Sequence, residues 1–472
     1  MKIFHLLFLL ACGMAAQAQS FYFGADLSYV NEMQDCGVVY KEQGAPKDPY
    51  QIFADHRTNL VRLRLWHTPS WYDALNSGHR YSDFQDVRRS IMRAKAAGMH
   101  VLLDFHLSDN WADPSKQRVP AAWESVVNNL PLLKDSLYNY ISSTLLALHN
   151  EDLLPDMVQI GNETNKGIML SPSVDEAGWS LDWNRNSQLF NRAIQAVRDV
   201  ENSTGKDIKV AIHIAGPAEA GWLMQGFWSH GVTDFDIIGL SYYWAWHMPT
   251  TIQNTGNIIA QLKQLYPGKN VMIFETGYIW TTQSNDNANN IISAVQPGYS
   301  PASPENQRNW LIDLTQEVIN RGGLGVIYWE PAWVSSPCFT QWGQGSHQEH
   351  AAFFDFDENL LVNGGMDFMT HTYDNLVAVK TPENTHKLDI WQSADSGTLT
   401  IQLEGFAGDS SLQFNLMSSD GKLAASRQFR TTGTEKTSFQ FALPSGLPAG
   451  VYYVSAYEGR RFAAVKGIVI QR

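Results

Sequence analysis

Eight short apolar stretches follow one another along this 472-residue chain, and helix-like segments separate most of them. They comprise residues 21–27, 60–66, 99–106, 155–163, 208–214, 236–243, 270–275 and 325–330. Strands that are apolar on both faces and alternate with helices are typical of a parallel sheet with both faces covered. Eight such strands predict an α/β fold in which the sheet closes into a (β/α)8 TIM barrel.

The segments between these stretches carry the helical repeat. In residues 84–97, apolar side chains recur at three- and four-residue intervals at Phe84, Val87, Ile91 and Ala94, and Gly98 follows. A glycine just after the last apolar position is a common helix end. Residues 186–200 repeat the pattern, so helices are predicted over both segments.

The composition of the chain changes near residue 381. Beyond residue 388 apolar and polar residues alternate, as in residues 398–403, and turn sequences separate the later stretches. Alternation with period two is typical of antiparallel sheets with one buried face. We therefore predict a barrel domain over residues 19–380 and a small C-terminal antiparallel β-sandwich over residues 381–472.

The N-terminus has the features of an export signal. Lys2 precedes an apolar run over residues 3–11, and Ala16-Gln17-Ala18 is a small-residue cleavage pattern. They predict a signal peptide over residues 1–18 and a location in the periplasm, at the cell surface or outside the cell. A lipoprotein box ending at Cys12 is the alternative, with a lipid anchor in place of cleavage after Ala18. No later stretch is predicted to span a membrane.

The charge of the chain limits its partners. The formal net charge is −13, which argues against a nucleic-acid partner because phosphate binding needs clustered Lys and Arg. A neutral substrate is compatible with this charge. The chain carries 16 Trp, 18 Tyr and 22 Phe, and such rings either fill the core or stack on ligand rings. We expect a monomer.

Two glutamates end apolar stretches of the predicted barrel. Glu163 closes the fourth stretch and Glu275 closes the seventh. The carboxyl ends of barrel strands carry the catalytic residues of this fold. Strands four and seven lie on opposite sides of the barrel, so the two carboxylates are expected to face each other across its mouth. Such a pair can hydrolyse a glycosidic bond, and retaining enzymes place the two groups about 5–5.5 Å apart.

Further polar and aromatic residues stand at the ends of the other strands. An amide can hold a sugar hydroxyl, Arg and His can orient a carboxylate, and Trp and Tyr rings can stack on sugar faces. Each such residue alone also fits a structural role in an ion pair or in the core, and the joint pattern favours a substrate cleft. The candidate substrate-binding residues are Arg64, Trp66, Asp104, His106, Asp109, Asn162, His213, Tyr242, Tyr243, Trp244, Trp329 and Trp333.

Several motifs resemble those of glycoside hydrolase family 53, the endo-β-1,4-galactanases. The matching stretches are residues 23–28, 61–66, 104–109 with 111–114, 159–163 and 275–276, and the resemblance covers about residues 21–370. The block Asp-Phe-His-x-Ser-Asp-x-Trp-Ala-Asp-Pro is the specific part, whereas Asn162-Glu163 is shared by a wider group of retaining glycosidases. The resemblance implies Glu163 as acid/base, Glu275 as nucleophile, β-1,4-galactan as substrate and no cofactor for catalysis.

Two features bear on details of the resemblance. The family usually has Pro where this chain has Trp244, which affects the aromatic platform and therefore product length. Bacterial members often bind Ca²⁺ in the loop after strand seven, and oxygen ligands suit this ion. The candidate ligands are Asp286, Asn290, Ser346 and Glu349. However, Ala288 falls where a ligand is expected, so a structural Ca²⁺ and a solvated polar loop both remain open.

A disulfide is predicted from the topology. Cys36 follows the first strand and Cys338 follows the last, and these strands are neighbours in a closed barrel. Both loops leave the barrel at the same face, so the two thiols are expected to meet. An exported protein experiences an environment that permits the bond.

Other functions stay open at this point. A mannanase or xylanase would use the same barrel and the same pair of glutamates, but the family-specific motif block argues against it. A non-catalytic glycan-binding barrel would be expected to lose one of the two glutamates, and both are present. Residues 447–454 and 467–470 resemble the C-terminal sorting domains of exported Bacteroidetes proteins, and a plain accessory sandwich is the alternative.

Overall fold

The computed structural model describes residues 21–177, 181–376, 387–392, 397–404, 411–418, 423–431, 436–458 and 461–470. The predicted signal peptide and the predicted domain boundary at residue 381 lie outside these residues. In the described part, no helix is both long enough and apolar enough to cross a membrane.

Eight parallel strands form a closed barrel, which confirms the predicted fold class. Each strand pairs with the next one along the chain, and the last pairs with the first. The strands are β1 (Tyr22–Asp26), β2 (Leu60–Leu65), β3 (His100–Phe105), β4 (Met157–Ile160), β5 (Lys209–Ala215), β6 (Ile237–Ser241), β7 (Asn270–Glu275) and β8 (Gly325–Tyr328).

Helices connect these strands and cover the outside of the barrel. They are α1 (Val30–Asp35), α2 (Pro49–Asp55), α3 (Phe84–Ala96), α4 (Leu130–His149), α5 (Pro172–Glu176), α6 (Trp183–Thr204), α7 (Pro217–Ser229), α8 (Trp244–His247), α9 (Ile252–Leu265) and α10 (Pro304–Asn320). The predicted helix over residues 84–97 is α3. Helix α6 extends beyond the predicted 186–200, because Asp182 caps its N-terminus and Gly205, with φ +65°, ends it.

The barrel interior changes from apolar to charged along each strand, as β2 illustrates. Side chains on a strand alternate between faces, so Leu60, Arg62 and Arg64 point inward while Val61 and Leu63 pack against the helices. Leu60 belongs to an apolar cluster that fills the bottom of the barrel. Arg62 and Arg64 are 1% exposed and lie progressively nearer the carboxyl ends of the strands. The fold therefore collects buried charge at the end where barrel enzymes carry their active sites.

The C-terminal part forms two antiparallel sheets. Strands β9 (Lys387–Gln392), β10 (Thr398–Glu404) and β13 (Lys436–Ala442) form one sheet, and β11 (Ser411–Ser418), β12 (Leu423–Arg430), β14 (Gly450–Glu458) and β15 (Arg461–Ile470) form the other. Leu399, Ile401 and Phe441 from the first sheet pack with Phe414 and Val454 from the second in one buried cluster. The predicted antiparallel architecture is confirmed.

The structure confirms the predicted disulfide. Cys36 caps the C-terminal end of α1 and is bonded to Cys338, with 5.6 Å between the two Cα atoms. Cys338 is 1% exposed. The bond joins the loop after β1 to the long loop after β8, across a sequence separation of 302 residues.

We expect the paired substitutions Cys36→Ser and Cys338→Ser to lower the free energy of unfolding by about 2–5 kcal/mol, because the bond restricts the unfolded chain. Denaturant titration of the variant and of the unmodified protein measures the difference. Reduction of the unmodified protein should reproduce the loss. A midpoint unchanged by both treatments would contradict a stabilising role.

Candidate active site

Glu163 and Glu275 line one cavity of about 560 Å³ at the carboxyl ends of the strands. Glu275 is the last residue of β7, and Glu163 follows the end of β4. Tryptophans, polar side chains and one lysine complete the wall. The lining residues are Trp111, Ala112, Asp113, Lys116, Asn162, Glu163, Tyr243, Trp246, Glu275, Asn289, Ile291, Trp329, Trp333, Trp342 and His347.

The backbone at Glu163 is unusual. Its φ angle is +45°, in the left-handed region that residues with a Cβ rarely occupy. The preceding Gly161 also has a positive φ, and a Cβ there would lie 2.6 Å from the Thr164 side chain. The Glu163 N–H donates to Nδ1 of His213 at 3.2 Å. Such local strain is concentrated at functional sites, where the surrounding structure maintains it.

Arg62 holds Glu275 in place. Its Nη1 lies 2.9 Å from Oε1 of Glu275 and 2.7 Å from Oδ2 of Asp26. Its Nη2 donates to Oδ2 of Asp104 at 2.8 Å and to Oδ1 of Asn162 at 2.7 Å. From the other side, the Tyr243 hydroxyl donates to Oε2 of Glu275 at 3.1 Å. Both oxygens of Glu275 therefore have a donor, which favours the ionised carboxylate.

Asp104, His106 and Gln159 support Arg62 from below. Asp104 accepts from Nδ1 of His106 at 2.9 Å and from Nε2 of Gln159 at 2.9 Å. The Oε1 atom of Gln159 accepts from Nε of Arg62 at 3.0 Å. All these groups are almost fully buried. The ion pairs and hydrogen bonds among these groups offset the free-energy cost of burying their charges beneath the cavity.

A second chain of hydrogen bonds ends at Glu163. Nδ1 of His213 lies 3.2 Å from the Glu163 backbone nitrogen and 2.9 Å from Oδ1 of Asn162, and Nε2 of the imidazole lies 3.0 Å from the Ser241 hydroxyl. The Ser241 hydroxyl bonds in turn to the Glu163 side chain. Burial lowers the pKa of His213 well below its usual value, so the imidazole is neutral. Glu163 is thus oriented by neutral groups, whereas Glu275 is held by a cation.

The two glutamates differ in their electrostatic surroundings. Burial raises the pKa of Glu163, and the neighbouring charge of Glu275 raises it further. Burial also raises the pKa of Glu275, and the charges of Asp26 and Asp104 add to the rise, whereas Arg62 and the Tyr243 hydrogen bond oppose it. These surroundings favour protonation of Glu163 over protonation of Glu275. Divergent environments of two carboxyl groups are the sign of separate acid and nucleophile roles.

Aromatic rings form the walls on either side of the glutamates. Trp329 and Trp333 follow β8, and Trp111 contacts Trp329 at 5.9 Å between ring centroids. On the opposite wall, the Trp246 ring lies 4.3 Å from Tyr243, and its Nε1 donates to the backbone oxygen of Ile291. Trp246 is 47% exposed, so it offers a ring face to a ligand. These surfaces suit the apolar faces of sugar rings.

The structure brings only some of the predicted substrate-binding residues to the cavity. Asn162, Tyr243, Trp329 and Trp333 line it together with both glutamates. Asp104, His106 and His213 lie beneath it and act through Arg62, Gln159 and Ser241. Asp109 lies outside it, with its two carboxylate oxygens accepting the backbone N–H groups of Thr68 and Ala121.

Four residues expected to contact substrate lie outside the lining of the cavity. Trp66 and Tyr242 are 0% exposed, so neither offers a ring face to a substrate, and the Tyr242 hydroxyl donates to Thr250. Arg64 is fully enclosed, ion-paired with Glu330 and stacked over the Trp111 ring at 4.2 Å. Trp244 begins the short helix α8 and packs against the core, and Trp246 two residues later faces the cavity instead.

Several residues of the site were not among the predicted catalytic or substrate-binding residues. Asp26 and Arg62 lie at or near strand ends within residues 23–28 and 61–66, so the sequence already places both toward the reactive end of the barrel. Gln159 lies on β4 between apolar residues, and the apolar pattern of this strand does not indicate a functional role for its amide. Trp342 and His347 belong to the long loop after β8, where sequence position gives no indication of distance from the glutamates.

The four candidate calcium ligands lie close together, but their oxygens accept N–H groups. Asp286 accepts the backbone N–H groups of Ala288 and Ser346. Glu349 accepts from the Asn285 backbone and from Nδ2 of Asn290 at 3.1 Å. Within the described ranges, no group of three or more His, Cys, Asp and Glu side chains is arranged to hold a metal. The structure therefore gives no direct support to the calcium expectation.

Comparison with known proteins defines the class. The sequence profile of glycosyl hydrolase family 53 matches residues 22–364. An arabinogalactan endo-β-1,4-galactanase of Cellvibrio japonicus is 48% identical over 337 residues, which cover 71% of this chain and 86% of the relative. An endo-β-1,4-galactanase of Bacillus subtilis is 34% identical over 397 residues, covering 78% of this chain and 87% of the relative.

Comparison with solved structures identifies the same family. The catalytic domain of a family 53 enzyme from Ignisphaera aggregans aligns with a TM-score of 0.67 and 31% identity, covering 76% of this chain and 98% of that one. The barrel and its paired carboxylates are those of a glycoside hydrolase. The chain belongs to glycosyl hydrolase family 53, which confirms the resemblance found in the sequence.

Proposed function

We propose that this protein is a retaining endo-β-1,4-galactanase in which Glu275 is the nucleophile and Glu163 the general acid and base. One observation carries the assignment of roles: Arg62 and Tyr243 hold Glu275, whereas burial and the charge of Glu275 keep a proton on Glu163. The substrate class follows the relatives, which are named as galactanases.

In the first step, an ionised Glu275 oxygen attacks the anomeric carbon of the sugar bound beside it. The glycosidic C–O bond breaks, and the proton of Glu163 passes to the departing oxygen. The ion pair with Arg62 keeps Glu275 ionised before the attack. As the charge on Glu275 is consumed in the covalent bond, the pKa of Glu163 falls, because that charge is one of the causes of its elevation.

In the second step, Glu163 acts as a base. With its pKa lowered by the loss of charge on Glu275, it takes a proton from water, and the oxygen of that water attacks the anomeric carbon. The bond to Glu275 breaks and the carboxylate returns to Arg62. Two displacements at one carbon retain its configuration. Neither step requires a cofactor.

A panel of linear polysaccharides tests the proposal. We expect rapid release of reducing ends from β-1,4-galactan and little from β-1,4-mannan or β-1,4-xylan. Proton NMR of the first products should show the β-anomer before mutarotation. Release of the α-anomer would contradict the double displacement, and preference for mannan or xylan would contradict the substrate.

The pH dependence of kcat/KM should be bell-shaped. The active form has Glu275 ionised and Glu163 protonated. Burial raises both pKa values, so the acidic limb should lie above the usual Glu value of 4.5 and the alkaline limb higher still. Initial rates between pH 4 and 10 measure both limbs, and separate stability measurements exclude unfolding as their cause. An acidic limb at or below pH 4.5 would contradict the arrangement.

We also propose a structural Ca²⁺ held by Asp286, Asn290, Ser346 and Glu349, which join the loops after β7 and β8. Binding would require the carboxylates to exchange N–H donors for the ion, so we expect weak binding. Added calcium should then raise the melting temperature, and chelator should reverse the rise, because a ligand of the native state stabilises it. The variant Glu349→Gln serves as control. A melting temperature that neither calcium nor chelator changes would contradict the calcium site and would indicate an ordinary polar surface loop.

We further propose that the chain consists of a catalytic domain and a separate C-terminal domain. The family profile ends at residue 364, which supports a catalytic domain over residues 19–380 and a separate domain over residues 381–472. We propose that residues 1–18 direct export and that the mature enzyme is a monomer. N-terminal sequencing and light scattering of the exported protein test both statements. An N-terminus at Cys12 with a bound lipid would establish the alternative anchor.

A further inference from the structure

A second hollow of about 370 Å³ lies beside the active-site cavity. The two share a wall formed by Trp111, Lys116 and Trp342. Beyond this wall most of the lining residues are polar, and they include Arg118, Asp175 and the exposed side chain of Glu124. A polysaccharide chain that leaves the cavity on this side therefore passes Trp342 and enters a surface that can bind sugar hydroxyls.

Trp342 stands on a small hairpin, residues 338–345, in which Phe339–Thr340 pairs with Gly343–Gln344. At its base, the Gly345 N–H donates to the Cys338 oxygen at 3.0 Å, and Cys338 is tied to the loop after β1 by the disulfide. The indole of Trp342 is 48% exposed and lies 6.5 Å from the Trp111 ring. The base of the hairpin is thus fixed, while its tip projects beside the cleft.

A pair of amides joins the tip to a neighbouring loop. Nδ2 of Asn110 donates to Oε1 of Gln341 at 3.1 Å, and Nε2 of Gln341 donates to Oδ1 of Asn110 at 2.7 Å. Asn110 belongs to the loop after β3, so this pair joins two loops that are 231 residues apart in sequence. Gln341 directly precedes Trp342. The pair consequently limits the positions that the indole can take.

We propose that Asn110 and Gln341 are positioning residues that hold Trp342 at the wall between the two hollows. In this arrangement, the second hollow binds galactosyl residues that extend past the active-site cavity. The inference rests on the proposed galactanase function and adds how this enzyme distinguishes long chains from short ones. A free hairpin would have to be ordered when a long chain binds, and that ordering lowers affinity. A substrate short enough to bind beside Glu163 and Glu275 without contacting Trp342 avoids the cost.

The test compares kcat/KM for galactan with kcat/KM for the shortest galacto-oligosaccharide that the enzyme cleaves. We expect Asn110→Ala and Gln341→Ala each to lower the ratio of the two values about three- to tenfold, the effect of losing one or two hydrogen bonds. The double variant should lower it no further, because the residues act as one pair. Exchanging the residues, with Asn110→Gln and Gln341→Asn together, keeps the donors and acceptors and should restore most of the ratio.

Gln344→Ala is the matched control. Gln344 lies on the same hairpin and donates to the Pro337 oxygen at 2.9 Å, away from the loop after β3. We expect Gln344→Ala to have the same ratio of the two kcat/KM values, for galactan and for the short oligosaccharide, as the unmodified enzyme. Additive losses in the double variant, or a ratio unchanged by all three alanine variants, would overturn the inference.

Hydrogen exchange at the Trp342 and Gly343 amides separates this inference from the proposed function. Exchange should accelerate equally in Asn110→Ala and Gln341→Ala and should not change in Gln344→Ala. An enzyme inactive on galactan would overturn the proposed function, and exchange would still report whether the amide pair holds the hairpin. Equal exchange in all variants would overturn the role of the pair whatever the substrate.

Discussion

Replacing Glu275 by Gln is expected to lower kcat by about 10⁵-fold, because the nucleophile of a covalent mechanism is lost. Glu163→Gln should lower kcat on galactan by roughly 10²–10⁴-fold, the usual contribution of a general acid. Both changes replace a carboxyl by an amide of similar size, so the fold should be retained. Steady-state rates and circular dichroism of the two variants measure these effects.

Rescue experiments assign the two roles. Glu163→Ala should recover part of its rate on an aryl glycoside with a good leaving group, since the departing oxygen then needs no proton. Glu275→Ala should recover only with an external nucleophile such as azide, and the product should then have the inverted configuration. The opposite pattern of rescue would exchange the roles of Glu163 and Glu275.

Arg62→Leu should give the largest loss of stability among single substitutions in the site. The guanidinium contacts Asp26, Asp104 and Glu275, and it is 1% exposed. Its removal leaves buried carboxylates without their cation, which costs about 3–5 kcal/mol. The pKa of Glu275 should also rise, because Arg62 is the main group that lowers it. The acidic limb of the activity profile then moves to higher pH.

Denaturant titration followed by tryptophan fluorescence measures the stability of Arg62→Leu. Arg80→Leu is the control, because Arg80 pairs with Asp73 at the surface and its loss should change stability little. An Arg62 variant as stable as the Arg80 variant would show that the buried carboxylates are neutralised in another way.

The sequence was sufficient for the barrel and for the two glutamates. A closed barrel places every strand end on one face, so a residue that ends an apolar run is assigned to that face without knowledge of distances. Glu163 and Glu275 follow this rule, and both line the cavity. Cys36 and Cys338 follow a related rule, because strand order alone makes the first and last strands neighbours.

The sequence did not determine which carboxylate each buried arginine contacts when two arginines lie at different depths in the barrel. Arg62 and Arg64 share the inward face of β2, yet Arg62 contacts Glu275 and Arg64 contacts Glu330. Their separation along the barrel axis is about two residues' rise, roughly 6–7 Å, which exceeds the reach of a hydrogen bond. Only the packing of the eight strands decides which arginine meets which carboxylate.

Tertiary structure alone also decided which aromatic rings face the substrate. Trp66 and Tyr242 stand at strand ends as predicted, yet both are fully buried, and Tyr242 stacks on Trp310 of helix α10. Trp246 and Trp342 face the cavity because short elements in those loops, helix α8 and the hairpin of residues 338–345, turn their side chains toward it. Periodicity therefore determined the barrel and its reactive face, whereas the surface offered to the sugar depends on long-range loop contacts that no local pattern encodes.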